Sequence, residues 1–290
     1  MSIKQTVHLI DTKDGCIVSM WQLYKEPENI SLKKSIFLSH GTFSDMRVCL
    51  GIAKYLAHQG YCCFILEWRG HGKSIKVNKP YNFETVALHD FKAAFDYLSN
   101  NMKIDDFHCI THSGGGICLT MLLINYPMYT EKISSITFVA CQVFGAASDR
   151  LSLFKLILAK YSAKVLGYIP AKHFKLGVID EKYDIMRQWF DWNIYKNFFS
   201  HYYPLDYRQS MPELDIPIYT ICGSGDKFIA PVEGCYKFLK AFKNKNNKFQ
   251  EFGLKYHNLE DYTHSRIILS QNASKEVWPT ILQWIKQHSD

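Results

Sequence analysis

A serine in a glycine-rich segment is the first candidate for chemistry in this chain of 290 residues. Ser113 stands between an apolar run at 106–111 and a helical pattern, and three glycines follow it. Such a position forces a sharp turn that exposes the hydroxyl above the edge of a sheet. The N–H of Gly114 is then directed at an oxygen that develops negative charge. The alternative is a glycine-rich turn without a catalytic role, but the strand, turn and helix context favours a nucleophile.

A second loop with candidate functional groups, His40-Gly41-Thr42-Phe43, follows the apolar run 35–39. At the carboxyl end of a neighbouring strand, such a loop can supply the other donor to the same oxygen, and the N–H of Thr42 is the candidate. We interpret His40 as ordering the loop through hydrogen bonds, with a role as a base as the alternative.

The elements that must position these residues alternate along the chain. Alternating apolar residues on both sides of Asp14-Gly15 predict a β-hairpin. Strands are predicted at 35–39, 62–68, 106–111, 134–141, 216–222 and 248–252, and helices at 45–59, 84–100, 114–126, 231–242 and 274–287. This order predicts the α/β class, with a mostly parallel sheet flanked by helices and its functional residues at the carboxyl ends of the strands.

One long segment breaks the alternation. From 144 to 211 the sequence has helical patterns and many aromatic residues but no good strand candidate. We therefore predict a core made of residues 1–143 and 212–290, with a helical cap at 144–211 inserted between two core strands. The aromatic residues between Trp189 and Tyr203 form either a hydrophobic acyl pocket or the small core of this cap.

Composition limits the class of protein. With 47% hydrophobic residues, 16 Gly and 9 Pro, the chain is globular and is neither disordered nor of low complexity. Its net charge is +7, but the sequence has no basic and aromatic motif of the kind that binds nucleic acid. No nucleic-acid partner is therefore expected.

The cysteines and histidines indicate the compartment and the cofactors. Several of the nine cysteines lie in apolar, strand-like runs, which is typical of buried thiols in a reducing compartment, and we expect a cytoplasmic protein. The histidines and cysteines lack metal-ligand spacing, so we expect no metal and no other cofactor. The chain start lacks the apolar region of a signal peptide, and the one long uncharged stretch, 107–130, is a poor membrane span.

Three segments together resemble the α/β-hydrolase superfamily, in the family's order and over nearly the whole chain. They are His40-Gly41, Glu67-Trp68-Arg69-Gly70-His71-Gly72-Lys73-Ser74 and Thr111-His112-Ser113-Gly114-Gly115. The resemblance implies the α/β-hydrolase fold and a serine esterase that is lipase-like or lysophospholipase-like. Thr111 and Glu67 depart from the family's usual glycine and aspartate, but neither departure removes a catalytic group. The loop after Trp68 is interpreted as structural support.

The same resemblance implies an acid after the penultimate core strand and a histidine after the last one. Asp226 and His264 occupy these places. His257 is the alternative histidine, but it is more simply an exposed loop residue. His112 is expected to point away from Ser113 along its strand. Asp215 is expected at the opposite end of the sheet.

These residue types predict a mechanism and a substrate class. Ser113 would attack an acyl carbon, His264 would move the proton, and Asp226 would orient the imidazole. We expect hydrolysis of carboxylic esters with an apolar acyl group, such as a lysophospholipid or a medium-chain ester. An acyl thioesterase is the alternative within enzymes, and a ligand-binding protein without turnover is the alternative from another class. The sequence does not predict the oligomeric state.

A basic and apolar helix is predicted at the start of the cap. No acidic residue lies between Arg150 and Ile179, where lysines alternate with leucines and other apolar residues. Such a helix can contact an anionic membrane peripherally. The alternative, which is the commoner arrangement, is a cap helix that packs its apolar face on the core and exposes its lysines to water.

Overall fold

The computed structural model of the chain describes residues 2–26, 34–76 and 79–289. Its strands are β1 (Ile3–Asp11), β2 (Ile17–Lys25), β3 (Ser35–Ser39), β4 (Cys62–Glu67), β5 (Phe107–His112), β6 (Ile133–Val139), β7 (Tyr168–Ile169), β8 (Glu181–Lys182), β9 (Ile218–Gly223) and β10 (Lys248–Phe252). Eight of them form one sheet in the order β1-β2-β4-β3-β5-β6-β9-β10. β1, β2 and β4 pair antiparallel, and the pairs from β4 to β10 are parallel. The predicted hairpin and the six predicted core strands are confirmed, with bounds that differ by at most two residues.

Helices cover both faces of this sheet. They are α1 (Arg47–His58), α2 (Phe83–Thr85), α3 (Lys92–Asn100), α4 (Gly114–Asn125), α5 (Arg150–Leu166), α6 (Tyr183–Tyr195), α7 (Tyr207–Ser210), α8 (Val232–Lys240), α9 (Arg266–Leu269) and α10 (Gln271–Gln287). A π-helical stretch, Val86–Phe91, joins α2 to α3, so the helix predicted at 84–100 is not uniformly α-helical. Short 3₁₀ helices lie at Pro127–Lys132, Met211–Glu213 and Leu254–Tyr256.

Burial on both faces explains why the central strands are almost wholly apolar. Every residue of β3, β4 and β5 is buried. One hydrophobic cluster contains Phe37 and Phe95, and a second on the other face contains Ile36 and Ile281. All nine cysteines are buried and free, as the sequence predicted for those in its apolar runs. Among the described residues, no helix has the length and hydropathy needed to span a bilayer.

The segment between β6 and β9 lies outside the main sheet. It contains α5, α6 and α7, and β7 pairs antiparallel with β8 in a small separate sheet. The sequence did not predict these two strands, because two residues are too few to produce a visible alternation. Leu156 and Ala163 bury the inner face of α5, as the packed alternative predicts. Its outer face does not fit that alternative, because large apolar residues there are exposed.

Candidate active site

The backbone at Ser113 makes a sharp turn between β5 and α4. Ser113 has φ 52° and ψ −125°, a left-handed conformation that costs a non-glycine residue about 1–3 kcal/mol. Its N–H donates to the carbonyl of Val139, which anchors the turn to β6. The following helix also lies very close to β3, since a Cβ atom at Gly115 would be 2.7 Å from the carbonyl oxygen of His40. Glycine at this position therefore allows the close approach of the helix and the strand.

Three predicted site residues, from distant parts of the chain, meet at this turn. His264 Nε2 lies 2.8 Å from Ser113 Oγ, and His264 Nδ1 lies 2.6 Å from Asp226 Oδ2. All three follow carboxyl ends of parallel strands, namely β5 for Ser113, β9 for Asp226 and β10 for His264. Because the carboxylate accepts from the Nδ1 proton, Nε2 is left to accept from the serine hydroxyl.

Asp226 is held as an anion by its surroundings. Its carboxylate accepts hydrogen bonds from His264 and from the backbone N–H groups of Ile229 and Ala230, each of the latter at 3.1 Å. Burial alone would raise the pKa of this carboxyl. The charge and hydrogen bond of His264, with the two backbone donors, outweigh burial and lower the pKa of Asp226 below its ordinary value.

The other histidine and aspartate that the sequence analysis considered do not lie at this turn. His257 is exposed on a loop turn, and Asp215 is exposed just before β9, at the opposite end of the sheet. The segment that carries His264 packs instead on the Asp226 turn, where the N–H of Gly225 donates to the carbonyl of Tyr262 at 2.9 Å.

The loop after β3 lies against the Ser113 turn. A Cβ atom at Gly41 would be 2.7 Å from the Cβ of Ser113 and 2.9 Å from the nitrogen of Gly114, so the two segments are in direct contact. Thr42, Ser113 and Gly114 all line the same cavity. Neither the N–H of Thr42 nor that of Gly114 donates to another described residue.

His40 is buried beneath this loop and has both ring nitrogens in hydrogen bonds. Nδ1 lies 2.7 Å from the carbonyl oxygen of Gly41, and Nε2 accepts from the N–H of Trp68 at 3.2 Å. Burial lowers the pKa of His40 to about 3, so its ring is neutral. These contacts agree with the predicted ordering role and leave no nitrogen free to act as a base.

A contact that the sequence did not reveal joins the inserted segment to the same loop. Glu181, in β8, accepts from the N–H of Phe43 at 2.9 Å and from His71 Nε2 at 2.8 Å through one carboxylate oxygen. The N–H groups of Val178 and Ile179 donate to the carbonyl of Phe43. We call this set of hydrogen bonds around Phe43 the clasp. Phe43 has φ 63°, so the clasp holds a strained residue directly after Thr42.

The clasp contains a buried ion pair. Burial by itself would lower the pKa of His71, but the adjacent Glu181 carboxylate outweighs it and raises that pKa above the ordinary value. The pair is separated by 110 residues in the sequence, and no local pattern links them.

The direction expected for the His112 side chain, away from Ser113, is wrong. Its ring lies beside His264, with centroids 4.9 Å apart, and its Nε2 donates to the backbone carbonyl of His264 at 2.9 Å. Strand alternation fails here because Ser113, in a left-handed conformation, no longer belongs to the strand. Burial lowers the pKa of His112 to about 3, so the ring is neutral and supports the loop that carries His264.

The end of β4 and the loop after it form polar contacts that support the candidate site structurally. The Glu67 carboxylate accepts from the backbone N–H groups of Met46 and Lys73 and from two side chains of β2. Arg69 is buried and pairs with both Asp14 and Asp90 at 2.6 Å. None of these groups reaches Ser113 or His264, which agrees with the interpretation of this loop as structural support.

A largely apolar cavity of about 680 Å³ opens above Ser113 and His264. Its walls come from both the sheet side and the inserted segment. They include Phe83, Ile117, Phe228, Leu158, Ala163, Ile169, Met186, Trp189 and Phe190. The aromatic residues between 189 and 203 therefore do not form one group. Trp189 and Phe190 line the cavity, Trp192 and Phe198 are buried core residues, and Tyr195, Phe199, Tyr202 and Tyr203 are exposed. Among the described residues, no cluster of histidine, cysteine or carboxylate groups is arranged to hold a metal ion.

Comparisons with known proteins agree with this architecture. Residues 34–165 match the family described as the alpha/beta hydrolase fold. The esterase Pf2001 of Pyrococcus furiosus is 18% identical with a TM-score of 0.63, and the alignment covers 99% of this chain and 94% of that chain. The esterase EaEST of Exiguobacterium antarcticum is 14% identical with a TM-score of 0.68, covering 97% and 100%. The α/β hydrolase GrgF of a Penicillium species is 13% identical with a TM-score of 0.67, covering 100% and 99%.

No curated protein matches the chain in sequence. At identities below one fifth, the structural neighbours establish the fold, and the predicted α/β-hydrolase fold is confirmed. The match of residues 34–165 to this family, the strand order and these neighbours together show that the chain has the α/β-hydrolase fold.

Proposed function

We propose that the protein is a serine hydrolase that cleaves carboxylic esters with an apolar acyl group through an acyl-enzyme. The observation that carries the proposal is the continuous set of hydrogen bonds from Ser113 through His264 to Asp226, at 2.8 and 2.6 Å. A serine hydroxyl is a weak nucleophile unless a base accepts its proton, and this geometry supplies the base and the group that orients it.

In the acylation step, Ser113 Oγ attacks the carbonyl carbon of the ester while its proton passes to His264 Nε2. The imidazole becomes positively charged, and the adjacent Asp226 carboxylate stabilises that charge. The carbonyl oxygen becomes negative and accepts from the N–H groups of Gly114 and Thr42. Each such donor is worth about 3 kcal/mol in the transition state. His264 then protonates the leaving alcohol, and the acyl group stays on Ser113.

In the deacylation step, water takes the place of the alcohol. His264 removes a proton from the water, which attacks the acyl carbon and regenerates the Ser113 hydroxyl while the carboxylic acid leaves. The proton that His264 accepts in each step is returned within that step.

The volume and the apolar lining of the cavity favour a substrate whose apolar part is an acyl chain of some length. Its volume lies within the usual range for small-molecule sites, and its lining near Ser113 is apolar. A single-chain lipid ester, such as a lysophospholipid or a medium-chain ester, fits this lining. Burying each additional methylene of the acyl chain should favour binding by about 0.8 kcal/mol until the cavity is filled.

A chain-length series of p-nitrophenyl esters, from acetyl to palmitoyl, tests the proposal. We expect kcat/KM to rise with chain length and then level off, and we expect Ser113→Ala to remove hydrolysis while the melting temperature changes little. His257→Ala is the matched control and should retain full activity, whereas His264→Ala should lose roughly 10⁴-fold or more. Substantial hydrolysis by Ser113→Ala would contradict the assignment. Acyl-thioesters of equal length, run in parallel, would reveal a thioesterase if they turn over faster than the oxygen esters.

A further inference from the structure

The outer face of α5 is apolar and exposed. Large apolar side chains recur there at intervals of three and four residues, which places them on one side of the helix. We call them the outer stripe: Leu151, Phe154, Leu158, Tyr161 and Val165, with exposed fractions from 57% to 87%. The opposite face of the same helix buries Leu156 and Ala163. A surface helix needs one apolar face to pack on its own protein, so this second apolar face is left without a partner among the described residues.

Exposed lysines lie on α5 and on the segment of Phe174, which lines the cavity together with Leu158 of the outer stripe. Lys155 and Lys164 lie on α5, and Lys172 and Lys175 lie on the segment between β7 and β8. All four are exposed, and none forms an ion pair with a described residue. Lys160 differs, because it is paired with Asp191 at 2.5 Å and faces α6. Exposed apolar residues with unpaired positive charges beside them form a surface that suits an apolar layer under anionic groups.

The opening of the active-site cavity lies at the same surface. Leu158, Leu166 and Phe174 are exposed by 55% to 59%, and all three also line the cavity that contains Ser113. The outer stripe is therefore continuous with the rim of the cavity.

We propose that the outer stripe and its lysines bind the surface of an anionic lipid bilayer. The apolar side chains enter the boundary between headgroups and acyl chains, and the lysines contact the negative headgroups. The cavity rim then faces the bilayer, so an amphipathic molecule can pass from the membrane to the cavity without crossing water. The binding itself does not depend on the proposed hydrolysis.

Charge favours the bilayer over a second copy of this chain. In a symmetric dimer built on this face, the same lysines of both copies would come together, and juxtaposed like charges oppose association. An anionic bilayer supplies the opposite charge to each lysine, at about 1 kcal/mol each near the surface. No acidic residue lies between Arg150 and Ile179 to offset this attraction.

Co-sedimentation of the full chain with vesicles tests the proposal. We expect binding to vesicles of phosphatidylcholine mixed with phosphatidylglycerol, weaker binding in high salt, and little binding to phosphatidylcholine alone. The triple variant Lys164→Glu, Lys172→Glu, Lys175→Glu should bind roughly a hundredfold more weakly. The matched control, Lys243→Glu, Lys245→Glu, Lys286→Glu, changes the charge equally on exposed lysines away from this face and should bind far more like the unmodified protein.

A second variant tests the apolar contribution. Phe154 and Val165 are exposed and do not line the cavity, so Phe154→Ser with Val165→Ser should weaken vesicle binding about tenfold or more. Hydrolysis of a soluble short-chain ester should stay unchanged in this variant.

Three results would overturn the proposal: no vesicle binding by the unmodified protein, equal binding by the lysine control and the variant Lys164→Glu, Lys172→Glu, Lys175→Glu, or a dimer in sedimentation velocity that Phe154→Ser dissociates. Vesicle binding through the outer stripe by a protein that hydrolyses no ester would support this proposal and refute the proposed function.

Discussion

At the scale of one residue, Ser113 combines a strained backbone with the position of the proposed nucleophile. Its left-handed backbone is unfavourable for serine, and contacts on both sides hold it: the bond to Val139 and the close approach of Gly41. The conformation turns the hydroxyl toward His264 instead of along the strand. The sequence allowed this turn to be predicted, because a serine followed by glycines between a strand and a helix can adopt few other backbone conformations.

The direction of the His112 side chain, directly before this serine, was harder to predict. The direction of His112 depends on where the strand ends, and strand alternation gives the wrong answer when the next residue leaves the strand. The choice of Asp226 and His264 rested on the family's order of motifs, since both lie far from Ser113 in sequence and only the fold brings them together.

A substitution at His112 tests its role as a positioning residue. His112→Phe keeps a ring beside His264 but removes the donor to the His264 carbonyl, which stays buried without its partner at a cost of roughly 1–3 kcal/mol. We expect kcat to fall about tenfold with little change in KM, because the base is misplaced while the acyl cavity is intact. His112→Gln retains a donor and should recover part of kcat. An unchanged kcat in His112→Phe would show that the contact does not position His264.

At the scale of elements, the inserted segment forms part of the site as well as covering it. β8 supplies Glu181, whose carboxylate fixes Phe43, the residue directly after Thr42. The sequence predicted an insertion over the strand ends but not this clasp, because a buried pair separated by 110 residues leaves no local pattern. The two-residue strands that bring Glu181 into place are likewise too short to produce one.

The clasp can be tested by removing its carboxylate. Glu181→Ala leaves the N–H of Phe43 and the ring of His71 buried without an acceptor and breaks the buried ion pair, so the free energy of unfolding should fall by roughly 3–5 kcal/mol. We also expect a drop in kcat of about tenfold or more, since Thr42 is proposed as an oxyanion donor. Glu181→Gln keeps an accepting oxygen and should retain most of kcat. Equal activity of the alanine variant and the unmodified protein would show that the clasp does not contribute to catalysis.

For the whole molecule, the buried histidines make stability depend on pH. Burial lowers the pKa of His40 and His112 to about 3 and that of His108 to about 4. In the unfolded chain these groups titrate near 6.5. A lowered pKa in the folded state means that the stabilisation is present above pH 6.5 and is lost as the pH falls toward the folded value.

His108 allows this effect to be measured away from the active site. Its two ring nitrogens form hydrogen bonds with the hydroxyl groups of Ser135 and Ser289 near the amino end of β5. Between about pH 7.5 and about pH 5, His108 alone should cost the folded state roughly 2 kcal/mol. Urea unfolding at both pH values should therefore show His108→Gln losing about 2 kcal/mol less than the unmodified protein. The same loss in both proteins would mean that His108 is not neutral in the folded state.

The central claim is that Ser113 is a nucleophile activated by His264. Its most direct measurement is reaction with a fluorophosphonate, followed by mass spectrometry of the intact protein and of its peptides. We expect one adduct per chain, located on Ser113, with slow labelling in His264→Ala and undiminished labelling in His257→Ala. An unlabelled protein, or an adduct on another residue that persists in Ser113→Ala, would contradict the account.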